Sequence, residues 1–171
     1  GYESTARLLT GVFGLEARVE RACTSTPASS DANRFRYEFP RAIGDEGSLP
    51  QVIDVLCTPD ARRGRLGAGI VHHVALRAAD DPEQLRWRAA LVDHGHNVTP
   101  VVDRSYFHSI YFREPGGVLL EIATDGPGFT TDEAAEHLGE ALTLPPQHER
   151  LRAGIERHLK PLRAPAPSGA S

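Results

Sequence analysis

The stretch from Val71 to Glu121 most constrains what this chain of 171 residues can fold into. Two histidines, His72 and His73, open an apolar segment with the length and alternation of a β-strand. A single carboxylate, Glu121, lies within a second apolar segment, 118–123. An ionised carboxylate inside an apolar strand is costly unless it is paired or bound to a metal. Since imidazole nitrogen and carboxylate oxygen are both ligands for divalent transition metals, a metal site is the first hypothesis.

The composition excludes several classes of protein. The formal net charge is -4, so nucleic acid is not an expected partner. No apolar run approaches the roughly 20 residues that span a membrane, and no signal peptide is visible. The two cysteines, Cys23 and Cys57, make no disulfide framework, and we expect free buried thiols and a cytoplasmic location. Because the chain contains no methionine, we expect either a removed leader or a piece of a longer protein.

The second half of the chain predicts the order β-α-β-β-β. A strand at 69–76 places His73 on the face opposite His72, because side chains alternate along a strand. A helix follows, with Asp81 as the expected capping residue, and it ends near Gly95. The remaining strands are predicted at 98–102, 109–113 and 118–123.

The first half repeats this order without the opening strand. A helix is predicted at 4–13 and strands at 15–22, 34–39 and 51–56. Asp54 takes the place in the last strand that Glu121 takes in the second half, so the halves form a weak internal repeat. We therefore predict an α+β fold in which paired βαβββ modules form a curved mixed sheet, followed by C-terminal helices. The expected segments are modules at 1–66 and 67–128, C-terminal helices at 129–163 and a disordered tail at 164–171.

The loop of the last hairpin decides whether Glu121 has a neighbour on its own face. A three-residue loop at 115–117 sets Tyr111 directly opposite Glu121, on the same face. A two-residue turn would place Tyr111 on the other face, but Pro-Gly-Gly favours the longer loop. The expected cluster contains His73, Glu121 and Tyr111, with Arg104 just before the hairpin.

Each member of this cluster also has an ordinary structural explanation. A strand histidine is often a satisfied core or surface residue, and Glu121 could pair with one of the many arginines. Tyr111 could be a half-buried strand aromatic and Arg104 a solvated loop residue. His108, just before the hairpin strand, could also reach the cluster. The spacing alone leaves a metal or acid–base site and these structural alternatives open.

The β-α-β-β-β repeat with His-His-Val-Ala-Leu and a glutamate in its final strand resembles the vicinal oxygen chelate superfamily. That superfamily includes glyoxalase I, bleomycin-resistance proteins and extradiol dioxygenases. Segment 104–125 more specifically resembles the ring-cleaving dioxygenases that act on hydroquinones. The same holds for the motifs that follow it: Gly128-Phe129-Thr130, Leu138-Gly139 and Leu144-Pro145-Pro146. The resemblance extends over 69–162 and, more loosely, over 1–60.

The resemblance implies a role for each candidate residue. His73 and Glu121 match metal ligands, whereas His72, Arg104 and Tyr111 match positions beside the metal or facing the substrate. The implied cofactor is Fe(II), with Mn(II) as an alternative, and the implied substrates are a small aromatic compound and O₂. In the resembling proteins a histidine from an earlier strand is the third ligand, and nothing here corresponds to it.

The resemblance also implies an incomplete enzyme. The related proteins carry four modules, and this chain matches their last two, minus one strand. We therefore expect the C-terminal portion of a ring-cleaving dioxygenase, acting as a homo-oligomer or with an N-terminal half. A glyoxalase-like metal-dependent lyase or isomerase, and a metal-free small-molecule-binding module like the bleomycin-resistance proteins, remain the alternatives.

Overall fold

Two β-sheets and their helices make up the first of two units, which spans residues 1–128. The structure, a computed structural model, describes residues 2–18, 34–40, 49–58 and 64–160 of the chain. The elements of the first unit are α1 (Tyr2–Arg7), a π-helical turn (Leu8–Val12), β1 (Glu16–Ala17), β2 (Arg34–Glu38), β3 (Val52–Leu56), β4 (Val74–Ala78), α2 (Asp81–Asp93), β5 (Val102–Asp103), β6 (Phe107–Arg113) and β7 (Leu119–Pro127).

The first sheet is antiparallel, with strand order β1-β2-β3. Its middle strand alternates over its first four residues: Phe35 and Tyr37 are buried, whereas Arg34 and Arg36 are exposed. The buried pair faces the core, so the opposite face of this sheet carries charged side chains.

The second sheet is mixed, with strand order β4-β7-β6-β5. Strand β4 runs parallel to β7, and the β6–β7 and β5–β6 pairs are antiparallel. The connection between the parallel strands β4 and β7 passes through α2, β5 and β6. This arrangement confirms the β-α-β-β-β order predicted for the second half.

Helix α2 is fixed to one face of the second sheet by a buried side chain. Gln84 is 1% exposed, and its Nε2 donates to the carbonyl oxygens of His108 and Ile122, each at 2.8 Å. The helix is capped by Asp80, whose Oδ1 accepts from the Glu83 N–H at 2.8 Å, and not by Asp81 as the sequence predicted. The backbone of Asp80 is extended whereas Asp81 is already helical, so Asp80 holds the capping position.

One hydrophobic core joins the two halves of the first unit. Its buried residues come from both sheets and their helices: Leu8, Leu9, Phe13, Leu15, Phe35, Tyr37, Ala78, Leu91, Val98, Ile110, Phe112, Leu120 and Ile122. Full burial of a large apolar side chain contributes about 1.5–3 kcal/mol. Ile110 and Phe112 of β6 and Leu120 and Ile122 of β7 belong to this core, so the core packs against the face of the second sheet opposite Glu121.

The second unit, residues 129–171, contains short helical segments. These are 3-10 turns at Phe129–Thr131, Ala135–His137 and Pro146–Leu151, followed by α3 (Arg152–His158). Arg152 stabilises the last segment by donating to Glu149 and to the Leu142 carbonyl oxygen. C-terminal helices were predicted here, and the predicted tail at 164–171 lies outside the described residues.

The α+β fold class is confirmed, but several details differ from the prediction. Strand β4 begins at Val74 rather than at 69, since its pairing with β7 starts with Val74 opposite Leu120. The strand predicted at 98–102 shrinks to Val102–Asp103. Strand β1 covers only Glu16–Ala17, and the last part of the predicted strand, from 19, lies outside the described residues. The module boundary near 66 stays a prediction.

Cys57 corrects the expectation of free thiols. It is disulfide-bonded in the structure. The other cysteine of the sequence, Cys23, lies outside the described residues.

Candidate functional site

The β6–β7 hairpin has the three-residue loop that the sequence predicted. The N–H of Glu114 donates to the carbonyl oxygen of Val118 at 3.0 Å, which leaves 115–117 as the loop. The Glu114 carboxylate accepts from the N–H groups of Gly116 and Val118, at 2.8 and 2.9 Å, and so stabilises the turn. As a result Tyr111 pairs directly with Glu121, and that prediction is confirmed.

The backbone geometry brings the side chains of this pair close together. The N–H of Thr99 donates to the Tyr111 carbonyl oxygen at 3.0 Å, and the Tyr111 N–H donates to Thr99 Oγ1 at 3.0 Å. The backbone groups of Tyr111 therefore point away from β7, and Tyr111 and Glu121 form a non-hydrogen-bonded pair, the type with the shorter Cα separation. The Tyr111 hydroxyl donates to Glu121 Oε1 at 2.6 Å.

Ser109 is a site residue that the sequence analysis missed. Its side chain is fully buried, and its hydroxyl donates to the same Oε1 of Glu121. Ser109 lies two residues before Tyr111 and hence on the same face of β6. The two-residue spacing from Tyr111 could have indicated this position, although a serine in a strand does not by itself indicate a functional role.

His73 approaches the other oxygen of the carboxylate. Ala75 pairs with Glu121 across the parallel strands, so His73, two residues earlier, lies toward the same face. His73 Nε2 is 2.7 Å from Glu121 Oε2. The histidine side chain is 36% exposed, whereas Glu121 is only 3% exposed. The two oxygens of the Glu121 carboxylate thus have different partners: Oε1 accepts from the two hydroxyls, and Oε2 faces His73.

His72 and Arg104 extend this contact network at its two ends. His72 Nδ1 lies 3.0 Å from His73 Nδ1. Arg104 Nε donates to the Tyr111 hydroxyl at 3.1 Å, and its Cζ lies 5.2 Å from the ring centroid of that tyrosine. A tight turn with Ser105 in the left-handed region, at φ 69°, precedes β6 and holds Arg104 there.

The structure therefore brings all five predicted site residues together and leaves out the sixth candidate. His108 lies on the α2 side of β6, where its Nδ1 is 2.6 Å from Asp81 Oδ1. The hydrogen bond that the His108 ring donates to the Asp81 carboxylate raises the pKa of His108 above its usual value. The side chain of His108 thus contacts the start of α2 and lies outside the Glu121 cluster.

The equivalent position in the first half of the repeat is closed by an ion pair. Arg36 pairs with Asp54 across β2 and β3, as Tyr111 pairs with Glu121 across β6 and β7. Arg36 donates to both Asp54 oxygens, at 2.7 and 2.8 Å, and these hydrogen bonds lower the pKa of Asp54. Asp54 therefore has no free oxygen directed at a ligand, and the internal repeat carries one candidate site.

Comparison with known proteins places this geometry in a family. The sequence model of the Glyoxalase/Bleomycin resistance protein/Dioxygenase superfamily matches residues 2–122. The chain belongs to this superfamily. No helix in the described parts of this superfamily member is long and apolar enough to cross a membrane.

Two curated proteins and one crystal structure show which members of the superfamily this chain resembles. The chain is 46% identical over 159 residues to "Putative ring-cleaving dioxygenase MhqO" of Bacillus subtilis (strain 168), covering 93% of this chain and 46% of that protein. It is 34% identical over 160 residues to "Chlorohydroquinone/hydroquinone 1,2-dioxygenase" of Sphingobium indicum, covering 92% and 48%. A crystal structure of a "putative dioxygenase" from Bacillus subtilis superposes with a TM-score of 0.75 at 46% identity, covering 94% and 46%. The chain thus spans about half the length of the curated relatives it matches.

The donor atoms of the site fit a divalent transition metal in part. Two ligands at about 2.1 Å from a first-row metal, at right angles, are about 3 Å apart. His73 Nε2 and Glu121 Oε2 are separated by 2.7 Å, and nitrogen plus carboxylate oxygen suits such ions. Within the described residues no group of three or more His, Cys, Asp or Glu side chains is arranged to hold a metal. In the described parts of the chain, the candidate metal site therefore consists of two donor atoms, His73 Nε2 and Glu121 Oε2.

A wide groove opens beside the histidines. It has a volume of about 690 Å³ and is lined by Gly64, Arg65, Leu66, Ile70, Val71, His72, His73, Val74, Arg113, Gly116, Gly117, Val118 and Leu119. Most of the apolar members are exposed, with Val71 at 81% and Leu66 at 69%. An apolar groove with a few polar groups is typical of small-molecule sites.

Proposed function

We propose that this chain is the ring-cleaving portion of an Fe(II)-dependent dioxygenase that acts on hydroquinones, with Mn(II) as an alternative metal. The observation that carries the proposal is the buried carboxylate of Glu121. Its Oε1 is held by two hydroxyl groups, while its Oε2 faces His73 Nε2 at 2.7 Å. The relatives named as ring-cleaving and hydroquinone dioxygenases support the reaction class and an aromatic substrate.

His73 Nε2 and Glu121 Oε2 are the atoms that would hold the metal. The chemistry supplied by a bound Fe(II) ion is the coordination of O₂ and of a phenol oxygen of the substrate. The hydroxyls of Ser109 and Tyr111 fix the Glu121 carboxylate, since supporting hydrogen bonds orient metal-binding side chains. Further donors would come from water, from substrate and from polypeptide beyond the described residues.

Arg104 and Tyr111 supply the charge and the proton handling on one side of the site. The guanidinium of Arg104 touches the Tyr111 hydroxyl, so a negative charge developing on a substrate oxygen there would be stabilised by a fixed cation. Tyr111 is hydrogen-bonded between a cation and a carboxylate and can position a phenolic substrate. His72, in contact with His73, is placed to exchange a proton with the substrate.

The groove beside His73 is the proposed site for the aromatic ring. Its exposed valine, leucine and isoleucine side chains match the faces of a ring, and Arg65 and Arg113 match its oxygen substituents. The ring would thus lie next to the histidine that binds the metal.

The deciding experiment combines metal titration with oxygen uptake. Anaerobic calorimetry with Fe(II), and separately with Mn(II), is run on wild type, Glu121→Gln, His73→Ala and the control His148→Ala, whose histidine is exposed in the second unit. Oxygen uptake is then followed with hydroquinone and with chlorohydroquinone. We expect 1:1 binding that both site variants abolish and the control retains. Equal metal binding by wild type and both site variants would overturn the proposal.

The length of the chain adds an expectation about activity. Because two protein ligands hold an ion less tightly than three, the 171-residue chain alone should bind metal weakly and cleave rings slowly. A protein that also contains the other half of the relatives' length, or an assembly of copies, should do both well. Tight binding with full turnover by the monomeric chain would show that the ligand set is already complete.

A metal-free binding module is the second candidate function. The observation that favours it is the lack of a three-donor group in the part of the chain that the structure describes. It predicts that hydroquinone binds equally well with and without metal and is not consumed. A glyoxalase-like lyase or isomerase would instead bind metal and consume no O₂.

A further inference from the structure

Thr99 contacts Tyr111 in an arrangement that differs from ordinary strand pairing. The Thr99 N–H donates to the Tyr111 carbonyl oxygen at 3.0 Å, as in an antiparallel hydrogen-bonded pair. The return bond is different, because the Tyr111 N–H donates to the side-chain Oγ1 of Thr99, also at 3.0 Å. In a regular pair the carbonyl oxygen of Thr99 would accept that bond. The contact therefore depends on the side chain at position 99 and not on the backbone alone.

Arg88 of helix α2 binds the carbonyl group that the hydroxyl replaces. Its Nε donates to the Thr99 carbonyl oxygen at 2.9 Å, in a partly buried hydrogen bond. The carbonyl group of Thr99 is thus engaged by the helix, while the hydroxyl group accepts from β6. The regular pairing of β5 with β6 accordingly covers only Val102 and Asp103. Thr99 therefore links helix α2 to the backbone of Tyr111.

Tyr111 in turn reaches two charged groups of the candidate site. Its hydroxyl donates to Glu121 Oε1 at 2.6 Å and accepts from Arg104 Nε at 3.1 Å. Because a tyrosine side chain is rigid apart from two torsions, the place of its hydroxyl follows from where its backbone is held. The hydrogen bonds thus form one continuous path from α2 through Thr99 and Tyr111 to the buried carboxylate.

We propose that Thr99 and Arg88 are positioning residues, which hold the backbone of Tyr111 so that its hydroxyl meets Glu121 Oε1. The proposal rests on the function proposed above, in which that carboxylate binds the metal and Tyr111 positions a phenolic substrate. Without the Thr99 hydroxyl, the partly buried Tyr111 N–H loses its acceptor, and a shift of the strand is the way to relieve that cost. Such a shift carries the tyrosine hydroxyl away from the carboxylate.

Fluorine NMR of protein labelled with 3-fluorotyrosine follows Tyr111 directly, without metal, substrate or O₂. The chain has four tyrosines, and Tyr111→Phe assigns the resonance of interest. Thr99→Val has nearly the same shape as wild type and removes the hydroxyl, whereas Thr99→Ser keeps the hydroxyl. Thr124→Val is the matched control, because the Thr124 hydroxyl also accepts from a β6 N–H, that of His108, at 2.9 Å.

We expect Thr99→Val to move the Tyr111 resonance beyond its linewidth and Thr99→Ser to restore it. Anaerobic calorimetry should show weaker Fe(II) binding by Thr99→Val, and kcat/KM for hydroquinone should fall about tenfold, as is usual when a group supporting a metal ligand is lost. Thr124→Val should leave the Tyr111 resonance in place. Arg88→Met is the second variant should Thr99→Val lack a native circular dichroism spectrum, and it should move the same resonance because it frees the Thr99 carbonyl group.

An unmoved Tyr111 resonance in Thr99→Val, or the same movement in Thr124→Val, would overturn the proposal. A moved resonance with wild-type Fe(II) affinity and turnover would overturn it as well, because the hydroxyl position would then not matter to the site. A different result separates the two proposals of this article's chain: a resonance that moves in Thr99→Val and returns in Thr99→Ser, in a protein that binds no Fe(II) and consumes no O₂. That result would reject the function proposed above and support the placement of Tyr111 by Thr99.

Discussion

The Glu121 carboxylate allows a sharp test by a double-mutant cycle. Ser109→Ala and Tyr111→Phe each remove one of the two hydroxyl groups that donate to Oε1. Each single variant leaves the other donor in place. The double variant leaves Oε1 without either, in a side chain that is only 3% exposed.

The expected magnitudes follow from that burial. A hydrogen bond to a charged group contributes about 1.5–3 kcal/mol, and part of the loss is recovered when the remaining donor strengthens its contact. We therefore expect each single variant to lower the free energy of unfolding by about 1–2 kcal/mol. The double variant should lose about 4–5 kcal/mol, because a buried charged oxygen is then left unsatisfied. The coupling energy should be about 1–2 kcal/mol.

Urea unfolding, followed by the fluorescence of Trp87, measures all four proteins. Thr124→Val is the control, since Thr124 is also buried and hydrogen-bonded but lies on the α2 side of the sheet. It should lower stability without changing the coupling between Ser109 and Tyr111. A coupling energy within about 0.3 kcal/mol of zero would refute the idea that both hydroxyls satisfy the same buried oxygen.

Three further predictions concern charge. Arg104→Ala should raise the barrier to the proposed ring cleavage by about 2–4 kcal/mol, measured as kcat/KM for hydroquinone, while urea unfolding stays unchanged because Arg104 is exposed. The contact between His108 and Asp81 raises the pKa of His108, so its stabilisation should be full below the ordinary histidine pKa and lost as the pH rises through the raised value. The difference in unfolding free energy between wild type and His108→Gln should therefore shrink with rising pH, and a difference that grows would contradict this. Arg36 lowers the pKa of Asp54, so the contribution of that pair should be present at neutral pH and fade as the pH falls through the lowered value; comparing Asp54→Asn with wild type across acidic pH measures it.

The parts of the site that sequence could predict are those set by local rules. The Pro115-Gly116-Gly117 loop fixes the register of the hairpin, and alternation then places Tyr111 beside Glu121. The same alternation carries His73 to the face of Ala75 and Glu121 once β4 and β7 are paired. The α+β order follows from hydrophobic periodicity in the same way.

The parts that sequence could not predict depend on how neighbouring strands pair and on local backbone angles. Strand β4 begins where its pairing with β7 begins, with Val74 opposite Leu120, and the sequence of β4 carries no signal of that limit. The choice of Asp80 over Asp81 as helix cap rests on backbone angles, since both residues have the same chemistry. Ser109 becomes important only because β6 aims it at the Glu121 oxygen that Tyr111 also uses.

The comparison of the two halves explains why one repeat carries a candidate site and the other does not. In each half a carboxylate in the last strand lies opposite a side chain that can donate hydrogen bonds. Arg36 is a planar fork and engages both oxygens of Asp54, which leaves neither directed at a ligand. Tyr111 carries one hydroxyl and Ser109 joins it on the same oxygen, so Oε2 of Glu121 stays directed at His73. The two-donor fork of Arg36 thus engages both oxygens of Asp54, whereas the hydroxyls of Tyr111 and Ser109 share one oxygen of Glu121 and leave the other to His73.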